Sequence, residues 1–539
     1  MNTDLKQLVQ RANYLLGKKT EINNLWQTIA DNFYVERATF TVTRNIGDEF
    51  ASHLMTSQPL MMRRELGNQF SGLLRPTQKE WFHITTEGAM KDLEARRWLH
   101  WATGVQKRAM YDLDASFVRA TKEGDHDFAA FGQCAISVEL NANRDGLLYR
   151  CWHLRDMAWA EGVNRKVNTV VRKWKPTAYD LKSTFKNVHK KVTDACDKDP
   201  YQEFNVLHIV IPADQYSGEK KWKTKYVSIY IDVDNMHCLE EVGSPSLIYV
   251  IPRWQTVSDS QYSYSPATVC GLPDARLLQA MTLTLLEAGE KAVNPPMIGV
   301  QSALRSDIQL FAGGFTAVDA AYDERLGEVL RPLTQDKSGL PFGMEVRDGI
   351  VKTLTEAFYL NKLNLPPVDG ATMTAYEVSK RIEEYIRQVL PLFEPLETDY
   401  NGELCEQTFS LLLTHGAFGR PDDMPEALSG KKIEFRFESP LHDAQDRQKA
   451  SIFIEAKGIM AEAIALDPSV QALIKAPEAA REALLGIGFN PENIRTEEEI
   501  AEVQARQAQQ AQQAQLLGAL EQGANIAKTA GEASQAFAQ

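Results

Sequence analysis

Two helix-forming segments enclose a compact stretch that cannot be helical, and this arrangement restricts the possible folds more than any other feature. Residues 272–292 form one apolar helical pattern, which NPPMIGV then breaks. The stretch 294–342 contains short strand-like pieces, Gly313-Gly314 and several prolines. A second helical pattern follows in 343–363, where apolar residues recur every four positions at Val346, Ile350, Leu354 and Phe358. The pattern predicts a stalk of two helices with a small tip.

Between about residue 130 and residue 255 the apolar residues alternate with polar ones, which is the period of a β-strand. The runs that carry this pattern are AISVEL (135–140), LLYRCWH (147–153), LHIVIP (207–212), YVSIYID (226–232) and LIYVIP (247–252). Asp145-Gly146 is a turn signal between the first two runs. This region therefore predicts a largely antiparallel sheet, whereas the first 125 or so residues predict mostly helices.

The C-terminal half returns to helical patterns. Residues 364–373 form a loop by composition, and Thr374 with Glu377 then fits a capping box that starts a helix to about residue 414, kinked at Pro391 and Pro395. KIEFRFE (432–438) alternates as a strand, and helices follow to a Gln/Ala-rich tail. The predicted fold class is α+β and predominantly helical.

Charge and cysteine usage exclude several classes of protein. The 539 residues carry 59 basic and 72 acidic side chains and a formal charge of -13, which argues against a protein whose main task is to grip nucleic acid. The six cysteines are scattered without C-x-x-C spacing, which favours free thiols in a reducing compartment. Neither a signal-peptide core nor an apolar run of about 18 residues occurs, so we expect a soluble protein made in the cytoplasm, with no membrane partner.

Motifs of enzymatic chemistry are absent from the sequence. GKKT (17–20) lacks the upstream glycine of a phosphate-binding loop, and neither H-E-x-x-H nor G-x-S-x-G occurs. His126 with Asp125 and Asp127 would suit a metal, but three polar neighbours in a solvated loop are the favoured interpretation. We therefore expect no enzymatic activity, no catalytic residue, no cofactor and no metal site.

Three further patterns could in principle carry a function. Cys151 and His153 share one face of a predicted strand, although no base or orienting partner accompanies them. Residues 165–191 carry nine Lys/Arg and one Asp, with Trp174 among them, so they could contact phosphates or could simply form an exposed domain surface. Asp232, Asp234 and Asn235 hint at a calcium loop, but the glycine that such a loop requires is missing.

Four stretches in fixed order resemble one known family. They are YSYSPATVCGLPDARLLQAM (262–281), VNPPMIGV (293–300), MTAYEVSKRIEEYIRQVLPLFEPLETDY (373–400) and FESPLHDAQDRQ (437–448). The chain resembles, over almost its whole length, the head-to-tail connector (portal) proteins of short-tailed double-stranded DNA phages.

The resemblance implies the phage portal fold of wing, stem, clip and crown, assembled as a ring of typically twelve subunits around an axial channel. The implied segments are a wing (1–271, with the sheet at 130–255), a first stem helix (272–293), a clip (294–342), a second stem helix (343–363), a channel loop (364–373), a long kinked helix with the wing remainder (374–431) and a helical crown with the Gln/Ala-rich tail (432–539).

The resemblance also implies sites and partners. The expected DNA channel loop consists of Asn364, Leu365, Pro366, Pro367, Val368, Asp369, Gly370, Ala371, Thr372 and Met373. The expected clip docking surface includes Arg305, Asp307 and Glu324. Expected partners are further copies of the chain, double-stranded DNA, the terminase packaging motor, tail adaptor and nozzle proteins, major capsid and scaffolding proteins, and internal core proteins at the crown. The expected location is the portal vertex of the virion. The competing interpretations are a nucleic-acid-processing enzyme of the packaging machinery and a capsid or scaffold protein.

Overall fold

The computed structural model describes most of the first 420 residues and short pieces beyond them. The described residues are 2–45, 47–49, 51–77, 80–86, 93–216, 218, 222–258, 260–299, 330–332, 339–363, 396–420, 424–437 and 456–458, with the single positions 304, 307, 319 and 480. The chain divides into two compact units, the first formed by residues 1–81 and 104–419 and the second by residues 82–103 and 420–539.

Helices make up the larger part of the described chain. They are α1 (Asn2–Lys18), α2 (Thr20–Phe33), α3 (Gln58–Leu74), α4 (Leu93–Met110), α5 (Phe117–Phe131), α6 (Ala178–Thr184), α7 (Lys190–Lys198), α8 (Pro266–Val293), α9 (Gly339–Ala357), α10 (Leu360–Leu363) and α11 (Gly402–Thr414), which a π-helical turn (Glu397–Asn401) precedes. Within the described residues, no helix is both long and apolar enough to span a membrane.

Every strand pairing within the described residues is antiparallel, as predicted. A five-stranded sheet has the order β4 (Met157–Glu161), β5 (Val167–Trp174), β6 (Val206–Pro212), β7 (Tyr226–Asp232) and β8 (His237–Ser244). A three-stranded sheet has the order β3 (Leu147–Cys151), β2 (Ile136–Leu140) and β9 (Tyr249–Val250). Three two-stranded pairs complete the set: β1 (Phe82–Thr86) with β14 (Ile433–Phe437), β10 (Gln255–Thr256) with β11 (Ser263–Tyr264), and β12 (Met297–Gly299) with β13 (Leu330–Pro332).

Both faces of the five-stranded sheet are covered, which explains why its strands are apolar on both sides. On one face α1 packs its apolar stripe against Val171, Ile209 and Ile229. Val206 and Tyr230, which point the opposite way because side chains alternate along a strand, pack against α6 and α7. These two helices form an insert between β5 and β6, which the sequence pattern did not predict.

A buried hydrogen-bond chain links the two larger sheets. The His208 imidazole lies 2.5 Å from the Tyr249 hydroxyl and 2.8 Å from the Ser228 hydroxyl, and the Arg172 guanidinium donates to the same Tyr249 oxygen at 2.9 Å. Burial lowers the pKa of His208 well below its usual value, so the ring remains neutral.

Two ion pairs with buried carboxylates hold the helical core of the first unit. Arg75 pairs with Asp125 of α5 and donates to the Asn401 amide oxygen at 2.7 Å. Asp127, two residues after Asp125 on α5, accepts two hydrogen bonds from Arg37, of 3.0 and 2.7 Å. Burial raises the pKa of both aspartates, and each arginine opposes that shift.

The second unit contains the antiparallel pair of β1 and β14, in which Phe82 is opposite Phe437. The alternation in 432–438 correctly predicted β14. No local pattern indicated β1, which interrupts the predicted helical N-terminal region, nor its pairing with a strand about 350 residues away.

Replacing Asp125 with asparagine tests the buried pair. The change leaves the Arg75 charge buried without its counter-ion, so we expect a loss of about 3–5 kcal/mol in the free energy of unfolding. Chemical denaturation monitored by tryptophan fluorescence measures it. Glu123, which pairs with Arg119 on the exposed side of the same helix, provides the control, since Glu123→Gln should cost at most about 0.5 kcal/mol. If both substitutions lowered the free energy of unfolding by the same amount, the Arg75–Asp125 pair would not be the contact that stabilises this core.

Candidate functional site

Helices α8 and α9 occupy the two segments for which the sequence predicts helices, and they lie side by side in antiparallel orientation. A Cβ atom on Gly271 would come within 2.9 Å of Leu354 Cδ1, and one on Gly343 would come within 2.9 Å of Leu285 Cδ2. Glycine therefore permits close approach near both ends of the pair. We call this pair the hairpin.

The two helices differ from the predicted bounds for identifiable reasons. α8 begins at Pro266, six residues before the predicted start at position 272. Pro266 occupies the first turn, where proline is tolerated, and Pro273 lies inside the helix, where proline is disfavoured. α9 begins at Gly339 and ends at Ala357, where the predicted helix continues to residue 363. The break comes at Tyr359, whose positive φ of 57° interrupts the helix before α10.

A short pair of strands joins the hairpin at its far end. β12 follows α8, β13 precedes α9, and Met297 is opposite Pro332. The intervening predicted clip lies mainly outside the described residues.

The near end of the hairpin is fixed by the C-terminal end of α5. The last carbonyl groups of a helix have no partner inside it. Ser265 Oγ donates to the Ala129 carbonyl and Thr268 Oγ1 to the Ala130 carbonyl, both at 2.7 Å. Ser265 is also the N-cap of α8, so the start of the hairpin satisfies the end of α5. We call this contact the anchor.

Gly132 makes the anchor sterically possible. It ends α5 with φ of 73°, and a Cβ atom there would overlap the carbonyl carbon of Tyr264. Because that neighbour is backbone, no side-chain rotation could relieve the overlap. Only glycine fits both the left-handed conformation and the available space.

A second contact ties an irregular segment of the body to the hairpin. Gln279 of α8 accepts hydrogen bonds from the backbone N–H groups of Met55 and Thr56 at 2.6 and 2.9 Å. Its amide nitrogen donates to the Thr56 carbonyl at 2.9 Å. One side chain thereby holds the segment against the helix.

The hairpin exposes an unusual amount of apolar surface. Between Arg276 and Glu287, α8 has no charged residue. Leu286 is 58% exposed and Phe342 of α9 is 68% exposed. The other large apolar side chains exposed on the two helices are Val269, Leu277, Leu283, Val293 and Met344. A helix that is apolar on its outer side as well as its inner side is normally covered by another surface.

Most predicted site residues lie outside the described residues. This applies to the whole loop 364–373 and, in the clip, to Arg305 and Glu324. Asp307 is described and is exposed. The residues predicted for DNA contact and docking therefore remain predictions.

The basic run 165–191 does not form one surface. Arg165 and Lys166 are exposed at the turn before β5, whereas Arg172 is buried beneath Trp152, with its guanidinium 3.9 Å from the ring centroid. Lys173 lies within β5, and the remaining lysines lie beyond its C-terminal end, mainly on α6, α7 and the turn between them.

The three polar neighbours at 125–127 do not lie in the solvated loop that the sequence predicted. They lie within α5, where Asp125 and Asp127 form the two ion pairs. The His126 ring packs against Gly67, and burial with nearby Arg63 lowers its pKa to about 4. Their arrangement is that of a packed core, which explains three polar residues in succession without a metal.

The other candidate groups also have structural partners. His153 caps a short helical turn by accepting from the Arg155 N–H at 3.0 Å, and burial lowers its pKa strongly. The Asp232 carboxylate accepts from both the backbone and the side chain of Asn235 at the turn between β7 and β8. Burial raises the pKa of the Cys151 thiol well above its usual value, which disfavours the nucleophilic thiolate.

Sequence reasoning missed the anchor, although part of its signal was present. Ser265-Pro266 has the form of an N-cap followed by proline at the first helical position. The partner carbonyl groups on α5 are backbone atoms more than 130 residues away, and no side-chain pattern identifies them.

Comparisons of the sequence with known proteins point to connecting or portal proteins of bacteriophages. A family model described as "Bacteriophage head to tail connecting protein" matches residues 5–494. The "Probable portal protein" of Bordetella phage BPP-1 is 26% identical over 546 residues, which cover 98% of this chain and 96% of the relative. The "Portal protein" of Salmonella phage epsilon15 is 21% identical over 461 residues, covering 82% and 80% respectively.

A solved structure, titled "Virion of native gene transfer agent (GTA) particle", aligns with 80% of this chain and 94% of its own at 10% identity. Its TM-score is 0.35, which is too low to support an argument about fold.

Replacing Thr268 with valine tests the anchor. The change keeps the shape of the side chain but leaves the Ala130 carbonyl without its donor, so we expect a loss of about 1–3 kcal/mol in the free energy of unfolding. We also expect faster hydrogen exchange in the first turns of α8. Thr284→Val is the matched control, because the Thr284 hydroxyl is exposed and bonds only within its own helix. If both variants exchange alike, the anchor does not hold the hairpin.

Proposed function

The chain belongs to the bacteriophage head to tail connecting protein family, and from this premise we propose that copies of it close into a ring, the portal, at one capsid vertex. Double-stranded DNA enters and leaves the head through the hole in the ring. The work of the protein is mechanical and geometric, without bond-making chemistry.

The exposed apolar face of the hairpin carries this proposal. Leu277, Leu283 and Leu286 together with Phe342 would remain in water if the chain acted alone. Burying one such side chain contributes about 1.5–3 kcal/mol, so covering several stabilises an assembly substantially. In the proposed ring, the covering surface belongs to the next copy.

A ring forms when each copy uses one surface to contact a different surface of the next identical copy. A heterologous contact repeats with a fixed rotation, and the chain of copies closes when that rotation divides a full turn. Twelve copies are the expected number. A chain with formal charge -13 suits a channel whose wall must let DNA slide, because a net acidic protein offers few phosphate anchors.

In this proposal, one segment contacts the DNA and another segment binds the protein partners. The loop Asn364–Met373 projects into the channel and touches DNA, and the clip around Arg305, Asp307 and Glu324 docks the terminase motor and later the tail adaptor and nozzle proteins. The position of the clip between α8 and α9 supports this assignment, since a hairpin presents its tip to partners.

The remaining partners follow from a location at the portal vertex. The wing faces the major capsid and scaffolding proteins, and the crown faces internal core proteins. The protein is made in the host cytoplasm and becomes part of the virion.

Replacing Leu283 and Leu286 with glutamate tests ring formation. Two charges on the apolar face should prevent neighbouring copies from packing, so we expect the variant to remain monomeric. Native mass spectrometry and negative-stain electron microscopy measure the outcome.

Leu113→Glu is the matched control for that experiment. Leu113 is 97% exposed but lies outside the hairpin, so this variant should still form rings. Rings that form from the Leu283/Leu286 variant, or a wild-type chain that forms only monomers, sheets or shells, would contradict the proposal.

Shortening the loop within residues 364–373 tests its assigned role. We expect rings to form normally while packaged DNA is retained poorly, because the loop contacts DNA and not the neighbouring subunit. Ring yield and retained DNA are measured separately in particles assembled with the variant. Normal DNA retention would remove the loop from the mechanism.

A further inference from the structure

We propose that the outer surface of the α6–α7 insert binds the phosphate backbone of duplex DNA. The surface consists of Lys186, Lys190, Lys191 and Lys198, and we call it the lysine surface. The inference concerns a site separate from the loop 364–373, and it does not depend on ring formation.

The packing of the insert fixes which way these lysines point. Leu181, Phe185 and Val192 pack inward against the five-stranded sheet. By the 3.6-residue period Lys190 lies opposite Val192 on α7, Lys191 and Lys198 lie on its flank, and all three are exposed. Lys186 is exposed on the turn before α7, only four residues from Lys190.

The lysine surface has little internal charge compensation. Its four lysines form no ion pair within the part of the chain that the structure describes. Among the nearby carboxylates, Asp180 closes the capping box of α6, Asp197 pairs with Lys182 at 3.2 Å, and Asp199 accepts from the Tyr201 N–H at 3.1 Å. Asp194 is exposed on the same outer side of α7, one turn from Lys190 and Lys198, and forms no ion pair within the described residues. Four lysines therefore outnumber this one carboxylate, and the lysine surface keeps a positive charge for a partner.

Local stability does not account for two of these lysines. Lys190 and Lys191 occupy the first turn of α7, where the helix dipole disfavours cations. Asp194, one turn further along α7, offsets part of this cost, so the two lysines are only partly compensated within the helix. A residue that breaks a local rule is often kept for function.

The type of cation favours phosphate over a protein partner. Protein interfaces are enriched in arginine and depleted in lysine, whereas lysine serves phosphate groups as a compact point charge. The basic side chains of the lysine surface are all lysine. Exposed Tyr179 and Tyr201, at the base of the insert, add hydroxyl groups that can bond phosphate oxygens.

Fluorescence anisotropy with a labelled duplex of about 30 base pairs tests the proposal on the full-length chain. Replacing Lys186, Lys190 and Lys191 with glutamine should weaken binding at least about tenfold at about 50 mM salt and lower the salt slope by about 2–3, as loss of three phosphate contacts requires. Asp194→Asn, which removes a carboxylate from the same outer side of α7, should strengthen binding.

The matched control changes the same total charge at dispersed positions. Lys6, Lys18 and Lys223 are exposed on other elements, and replacing all three with glutamine should leave the salt slope nearly unchanged. Electron microscopy of the same samples reports ring formation, so a failure of the portal assignment is distinguished from a failure of DNA binding.

Three results would overturn the proposal. The first is equal loss of DNA binding in the control and the lysine-surface variants, which would show an effect of net charge only. The second is absence of salt-dependent duplex binding by the wild-type chain. The third is preferential binding of polyglutamate of matched charge, which would identify an acidic protein partner instead.

Discussion

The contact between the end of α5 and the start of α8 determines where the hairpin can lie. Two hydroxyl groups of α8 and its N-cap satisfy backbone carbonyl groups that α5 cannot satisfy by itself. Gly132 lets the backbone at the end of α5 lie directly against the backbone of Tyr264, where a side chain would not fit. The junction therefore consists of buried side-chain hydroxyl groups bonded to backbone carbonyl groups, and it fixes the start of α8 against the end of α5.

The body behind the anchor contains buried polar contacts that link its segments. Arg75 and Arg37 attach neighbouring segments to α5 through carboxylates that are almost fully buried, and a neutral His208 joins two sheets through Tyr249. Such networks add little net stability compared with apolar packing, but they permit few alternative arrangements. The apolar outer side of α8 shows the opposite property, since several of its large apolar side chains are exposed within the part of the chain that the structure describes. An exposed apolar surface of this kind usually marks a site of contact with a partner.

The periodic features were predicted well, because period and burial are local properties. The strands at 207–212 and 226–232 and the helices of the hairpin are examples, although Pro273 concealed the true start of α8. Long-range features could not be predicted. The pairing of β1 with β14 depends on residues far apart in the chain, and the aspartates at 125 and 127 resemble a solvated loop until Arg75 and Arg37 are placed beside them. Similarly, the run 165–191 looks like one basic patch, but β5 turns Arg172 into the core and separates Lys166 from the lysines of the insert. The clip and channel-loop assignments came from family resemblance, because no local pattern in those segments identifies a contact with DNA or with a partner protein.

The central claim is that the apolar side of the hairpin is buried by a neighbouring copy in a closed ring. A cryo-electron microscopy reconstruction of the purified full-length chain tests it most directly. The account predicts a ring with an open axial passage, in which the leucines of α8 between Arg276 and Glu287 pack against the adjacent subunit. A ring that leaves this side of α8 in solvent, or particles that consist of single copies, would contradict it.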